Sequence, residues 1–185
     1  MSMERSVSRF EQSHVVIMGV SGCGKSTVGA ALAALSRLEY VDGDDLHPVA
    51  NVDKMRAGIP LTDADRQPWL EDCGAALGRA HTGLILGCSA LKLSYREIIR
   101  RTAFPAKPVF VYLHGSREVL SARMGQREGH YMPTSLLDSQ LATLEPPTGP
   151  EGAITVDIDQ PADRIAELIF NGLGWRAESI ARQGK

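Results

Sequence analysis

Gly19-Val20-Ser21-Gly22-Cys23-Gly24-Lys25-Ser26 is the stretch whose reading decides the fold. It has the spacing G-x-x-x-x-G-K-[ST]. Before it stands a β-branched apolar run, His14-Val-Val-Ile-Met-Gly19; after it, residues 25–38 carry Val28, Leu32 and Leu35 at helical spacing. Glycines there let successive backbone N–H groups converge on an anion, and the positive end of the following helix faces the same point. Lys25 is placed to reach the β- and γ-phosphates of a nucleoside triphosphate, and the Ser26 hydroxyl to ligate Mg2+. Nucleotide contacts are therefore expected from Gly19, Val20, Ser21, Gly22, Cys23, Gly24, Lys25, Ser26 and Thr27. Thr27 stands one residue too late for the metal position and is read as a helix-packing residue.

Outward from the loop, short apolar runs alternate with longer helical patterns. Strands are predicted at 14–19, 38–42, 83–89, 107–115 and 153–159. Helices are predicted at 25–38, 44–56, 62–80, 92–103, 117–127, 134–144 and 163–173. Thr62 is a good N-cap, with Asp63 and Asp65 suited to the positive helix end. Five strand–helix alternations imply an α/β fold of three layers, a five-stranded parallel sheet with helices on both faces. Residues 1–12 form a polar tail, and 13–185 read as one domain.

Composition narrows the function class. Twenty basic against 22 acidic residues in 185 give a net charge of −2, which excludes a general nucleic-acid or membrane-surface binder. Three cysteines, Cys23, Cys73 and Cys88, are an odd number without metal-ligand spacing, which suits a reducing compartment rather than a disulfide scaffold. No apolar run has the length of a membrane span or a secretory signal, so the expected location is the cytoplasm. Cys73, Cys88, Trp69, Leu70, Met55 and Met132 are read as core or packing residues.

A guanine-type switch would need N-K-x-D, and Asn51-Val-Asp-Lys54 has the wrong order. The size favours a kinase for a small molecule. After the second strand, Tyr40-Val-Asp42-Gly-Asp44-Asp45-Leu-His47-Pro48 sets three acids at a strand's C-terminal end, where open α/β sheets bind ligands. Asp42 is placed to accept a metal-bound water, and Asp44, two residues on, to orient an acceptor hydroxyl.

Here the chain resembles the gluconate kinase family, small phosphate-loop kinases related in fold to shikimate and adenylate kinases. The resemblance rests on GVSGCGKST (19–27), DGDDLHPVANVDKMRAGIPLTDADRQPWL (42–70), CSALKLSYR (88–96), ARMGQREGHYM (122–132) and DIDQP (157–161). It implies a nucleoside-monophosphate-kinase-like fold, a substrate segment at about 44–80 and a mobile lid at about 122–145. It also implies transfer of the ATP γ-phosphoryl to the 6-hydroxyl of D-gluconate, with Mg2+, feeding the pentose phosphate or Entner-Doudoroff route. It places Asp44 at the substrate hydroxyl and DIDQP near the adenine. Cys23 stands where a small residue, often Ser, is expected, at a position that contributes mainly backbone.

A polyol carboxylate needs a cation and several hydrogen-bonding groups. The candidates are His47, Lys54, Arg56 and Arg66, with Lys92 and Arg96 spaced i, i+4 after the third strand. His47, before Pro48, reads equally as a helix-start packing residue. Residues 92–127 carry eight basic and two acidic side chains in a chain that is slightly acidic as a whole, which points to a phosphate-facing wall rather than to nucleic acid. Arg123 and Arg127, flanked by Gly125 and Gly129, fit a lid over the triphosphate. Three functions stay open: a gluconate kinase, a kinase for another small acid such as shikimate, and a sensor that binds ATP and a sugar acid without turnover. A homodimer is compatible with all three.

Overall fold

The structure is a computed structural model, and it describes residues 14–125 and 134–175. Five strands, β1 (Val15–Met18), β2 (Glu39–Asp42), β3 (Leu84–Gly87), β4 (Val109–His114) and β5 (Ile154–Asp157), pair in the order β2-β3-β1-β4-β5, every pair parallel. Seven helices connect or follow them among the described residues: α1 (Lys25–Ser36), α2 (Val49–Arg56), α3 (Asp63–Arg79), α4 (Leu93–Thr102), α5 (Arg117–Gly125), α6 (Thr134–Thr143) and α7 (Ala162–Gly172).

The strands are nearly continuous apolar runs because both sheet faces are covered. Period-two alternation sorts their side chains into two cores. Val15 and Ile17 of β1, Ile85 of β3 and Val111 and Leu113 of β4 join Val28 and Leu32 of α1, Leu120 of α5, Leu137 of α6 and Ile165 and Ile169 of α7. Val16 and Met18, Leu84 and Leu86, and Phe110 and Tyr112 pack on the other face against Trp69, Leu70, Cys73 and Leu77 of α3 and Tyr95 and Ile99 of α4.

Local chemistry moves several boundaries. The helix expected from residue 44 begins at Val49, because His47 precedes Pro48 and is held extended. Residues 43–46 form instead a 3-10 turn, capped by Asp42 Oδ1 accepting the Asp44 N–H at 3.1 Å. At the start of α3, the Thr62 side chain accepts the Asp65 N–H while the Asp65 side chain accepts the Thr62 N–H, a reciprocal cap. α1 stops at Ser36, where Arg37 turns left-handed at φ 61°. Leu35 and Met55, read as packing residues, are exposed; Leu32 and Val28 carry the buried face of α1 instead. Met132 lies outside the described residues.

Candidate active site

The central strand β1 ends at Met18, and the chain turns back as the phosphate loop into α1. Gly24 caps α1 in a left-handed conformation, φ 95°, where no side chain competes for the first N–H groups of the helix. Those donors and the helix dipole therefore face the space above the sheet edge. Lys25 Nζ donates to the loop's own carbonyls, Gly19 O at 3.1 Å and Val20 O at 3.3 Å. Cys23 is wholly buried, and burial pushes its thiol pKa up, so it fills the core beneath the loop and exposes no nucleophile. Thr27 is exposed, so the packing role read for it is not present.

Beside the loop stands the end of β2. Ser26 Oγ donates to Asp42 Oδ2 at 2.8 Å, while Asp42 Oδ1 accepts the Asp44 N–H. Tyr40, whose hydroxyl lies 3.4 Å from the same Asp42 oxygen, has its pKa pushed up to about 12, first by burial and then by the carboxylate. Asp44 is exposed, and its carboxylate takes no hydrogen bond among the described residues. The turn that presents it approaches β3 closely: a Cβ at Gly43 would stand 2.4 Å from Gly87 O. Trp69 Nε1 donates to Gly43 O at 2.6 Å from α3, which fixes the turn from below.

Trp69 is therefore more than the core residue read from its helix pattern. Its ring also stacks on His47, centroids 4.2 Å apart and planes 13° apart. Burial lowers the His47 pKa, opposed by nearby Asp44. His47 Nδ1 meets Asn51 Nδ2 at 3.3 Å, and buried Asn51 also donates to Asp65 O at 2.7 Å. Lys54 pairs with Asp65 at 2.7 Å, and this bond with the Thr62 cap holds the Asp65 carboxyl at about 2. Lys54 thus braces α2 against α3. Arg56 is exposed and unpaired among the described residues.

Arg66 and Lys92 share one carboxylate. Asp63 lies 2.6 Å from Lys92 Nζ, 3.9 Å from Arg66 and within hydrogen-bond reach of the Tyr95 hydroxyl. Hydrogen bonds from Lys92 and Tyr95 lower its pKa. Arg66 further donates to Leu61 O. These two cations come together at the start of α3 and α4, a pairing that the i, i+4 spacing of Lys92 and Arg96 did not anticipate.

Arg96 does not join them, and its reading as a substrate contact is corrected. Its side chain is 1% exposed, forked onto Glu151 at 2.6 and 2.9 Å, with Nη1 donating to Ala90 O and Leu91 O. Nε, Nη1 and Nη2 are thus all bonded inside the fold. Lys92 and Arg96 do not present a common face because Lys92 is the N-cap of α4, outside the helix proper.

On the far side of the loop, Arg123 of α5 donates to Ile158 O and to Gln160 O at 3.3 Å. Its guanidinium also passes 3.5 Å from the position a Cβ would take at Gly24. It thus bridges the phosphate loop and the 157–161 segment. Arg127 lies outside the described residues. Gln140 of α6 went unread in the sequence: its Oε1 accepts the Ser21 N–H at 2.6 Å and its Nε2 donates to Ser21 Oγ at 3.1 Å. No local pattern marks a glutamine whose partner lies 119 residues away.

A phosphate loop on the central strand of an all-parallel sheet, flanked by a hydroxyl–carboxylate pair and a second, free carboxylate, defines a phosphate-loop kinase. Residues 21–141 match the shikimate kinase family. The chain is 49% identical over 159 residues to a gluconokinase of Gluconobacter oxydans, covering 84% of this chain and 88% of that one. A thermosensitive gluconokinase of Escherichia coli is 45% identical, covering 82% of each chain. A crystal structure of a gluconokinase from Sinorhizobium meliloti superposes with a TM-score of 0.82 at 47% identity, covering 90% of this chain and 94% of that one. The chain belongs to the gluconokinase family. No helix among the described residues is long and apolar enough to cross a membrane.

Proposed function

We propose that this protein transfers the γ-phosphoryl group of ATP to the 6-hydroxyl of D-gluconate, with Mg2+. The observation that carries the reading is the β2 turn: Asp42 bound to the Ser26 hydroxyl of the phosphate loop, and Asp44 free two residues on. The Ser26 and Asp42 oxygens are the hard donors that Mg2+ prefers. Among the described residues no group of three or more His, Cys, Asp or Glu forms a metal cage. That fits an ion held largely by the nucleotide's phosphates, with Ser26 and Asp42 as its protein partners. When bound, it neutralises phosphate charge.

The triphosphate lies on the loop N–H groups and the start of α1, and Lys25 leaves the carbonyls of Gly19 and Val20 for the β- and γ-phosphates. Arg123 borders the nucleotide, and Arg127 is assigned to the lid, closing on the transferring group. Gluconate lies with its 6-hydroxyl at Asp44 and its carboxylate towards Arg66 and Lys92. His47 and Lys54 shape the wall between, and Arg56 borders its mouth. The O6–phosphorus bond forms as the bond from phosphorus to the β–γ bridging oxygen breaks, and the hydroxyl proton passes to Asp44. Because the transition state is loose, positioning and charge neutralisation supply most of the rate.

An ADP-release assay across acceptors tests this. Gluconate is expected to outperform glucose and sorbitol, which keep the terminal hydroxyl but bring no carboxylate to Arg66 and Lys92. Shikimate, a rigid ring with secondary hydroxyls only, is expected to fail. Asp44→Asn is expected to retain ATP binding and lose most gluconate turnover. A preference for shikimate or for an uncharged sugar refutes the acceptor assignment.

A further inference from the structure

Polar contacts from the C-terminal half of α6 and the residues just after it reach two different parts of the site. Towards the phosphate loop, the Gln140 carboxamide holds both the N–H and the Oγ of Ser21. Just beyond the helix, the Glu145 N–H donates to Leu91 O at 2.9 Å, and Glu145 Oε2 accepts the Leu93 N–H at 2.6 Å. Lys92 lies between those two residues and carries the bond to Asp63.

The second contact is a helix cap supplied from elsewhere in the chain. α4 has no capping side chain of its own, since its N-cap is Lys92, and Glu145 accepts one of the N–H groups that the helix leaves open. The orientation of the α4 start, and with it the backbone of Lys92, therefore depends on where α6 ends. α6 itself is docked on the body of the domain. Leu137 is fully buried in the core that includes Val20, Cys23 and Leu120, with Leu141 and Leu144 packed against it. Arg117 forks onto Asp138 at 2.7 and 3.1 Å. Gln140 and Glu145 thus hang from one docked helix, separated by about 8 Å along its direction.

We propose that α6 is a strut that couples the nucleotide and acceptor sites, with Gln140 and Glu145 as its positioning residues. This rests on the acceptor reading above. A phosphate settling on the loop adjusts the backbone at Ser21, and Gln140 passes the adjustment to α6. Glu145 delivers it to residues 91–93, where Lys92 meets the acceptor. Both ligands then bias one element, so each raises the affinity of the other by the same factor.

The test is a calorimetric measurement of D-gluconate affinity with and without a saturating, non-hydrolysable imido analogue of ATP. In the wild-type chain gluconate is expected to bind several-fold more tightly when the nucleotide is present. Gln140→Ala and Glu145→Ala are each expected to bring that ratio close to one. Glu145→Gln keeps an acceptor for the Leu93 N–H and is expected to keep most of the ratio. Glu145 is exposed, so its variants report on coupling even if the part-buried Gln140 variant loses stability. A wild-type ratio of one overturns the strut, as does a ratio that survives both alanine substitutions. If the wild-type chain takes up no gluconate at all, the acceptor assignment falls and the coupling falls with it. Gluconate binding with an unchanged ratio in both alanine variants refutes the strut alone.

Discussion

Replacing Glu151 by Gln separates a structural cation from a catalytic one. Arg96 is buried at 1% exposure, and its ion-pair partner Glu151 at 9%. The amide keeps the shape of the carboxylate but removes its charge and turns an N–H towards the guanidinium. Breaking one side of a buried pair costs about 3–5 kcal/mol. A second route gives a similar size. Hydrogen bonds from Arg96, then from the Thr148 N–H, bring the Glu151 carboxyl from 4.5 to about 2 against the opposing effect of burial. At about 1.4 kcal/mol per tenfold change in acidity this corresponds to roughly 3 kcal/mol. For a domain of this size the expected loss in Tm at pH 7 is about 6–20 °C.

The sign with pH follows from the lowered folded-state value. The stabilisation is fully present above pH 4.5 and is lost as pH falls towards about 2, so the gap between wild type and variant should close across that window. Calorimetric unfolding from pH 7 down to pH 3 reads the trend, and steady-state kinetics at 25 °C should show a gluconate KM within about twofold of wild type. Two results would refute the reasoning: a Tm within about 2 °C of wild type at pH 7, or a tenfold rise in gluconate KM with stability intact. The second would return Arg96 to the substrate site.

Three further outcomes are expected. Lys25→Ala should abolish phosphoryl transfer while far-UV circular dichroism and Tm stay near wild type, since Nζ bonds only to its own loop; turnover within a few-fold of wild type would contradict its role. Trp69→Phe keeps a ring for His47 but leaves Gly43 O without its donor, at a cost of about 1–3 kcal/mol. It should lower kcat/KM for the acceptor several-fold while ATP affinity holds, and a fall in ATP affinity alone would count against the turn as the acceptor's support. Arg127→Ala should reduce turnover more than it reduces ATP affinity, and a proportional fall in both would assign that residue to ground-state nucleotide binding.

Periodicity and glycine chemistry made the scaffold legible. β1 and β4 read as strands because their side chains are apolar on both faces, and Thr62-Asp-Ala-Asp65 announces a helix start in four residues. The phosphate loop was readable for the same reason, being local in sequence. Long-range polar pairing was not. Arg96 at i+4 from Lys92 invited a shared face, and only the fold reveals that Glu151, 55 residues on, claims it. Gln140 and Glu145 carried no signal either, because a side chain that caps a distant backbone leaves no spacing rule behind. The helix pattern around Trp69 marks it as a core residue, whereas its indole N–H supports the acidic turn.

The middle strand of the sheet is also the first to leave the ribosome. All four residues of β1 are buried in the finished molecule, yet their partners β3 and β4 begin only at Leu84 and Val109, and the side chain that grips Ser21 comes later still. Until residue 84 is made the growing chain carries an apolar strand without either of its neighbours in the sheet. Nucleotide recognises the assembled crevice and not its parts, so it favours completion: at a hundredfold its Kd it adds about 2.7 kcal/mol to the folded state alone. On the function proposed above, ATP is a ligand that favours the folded state as well as a phosphoryl donor.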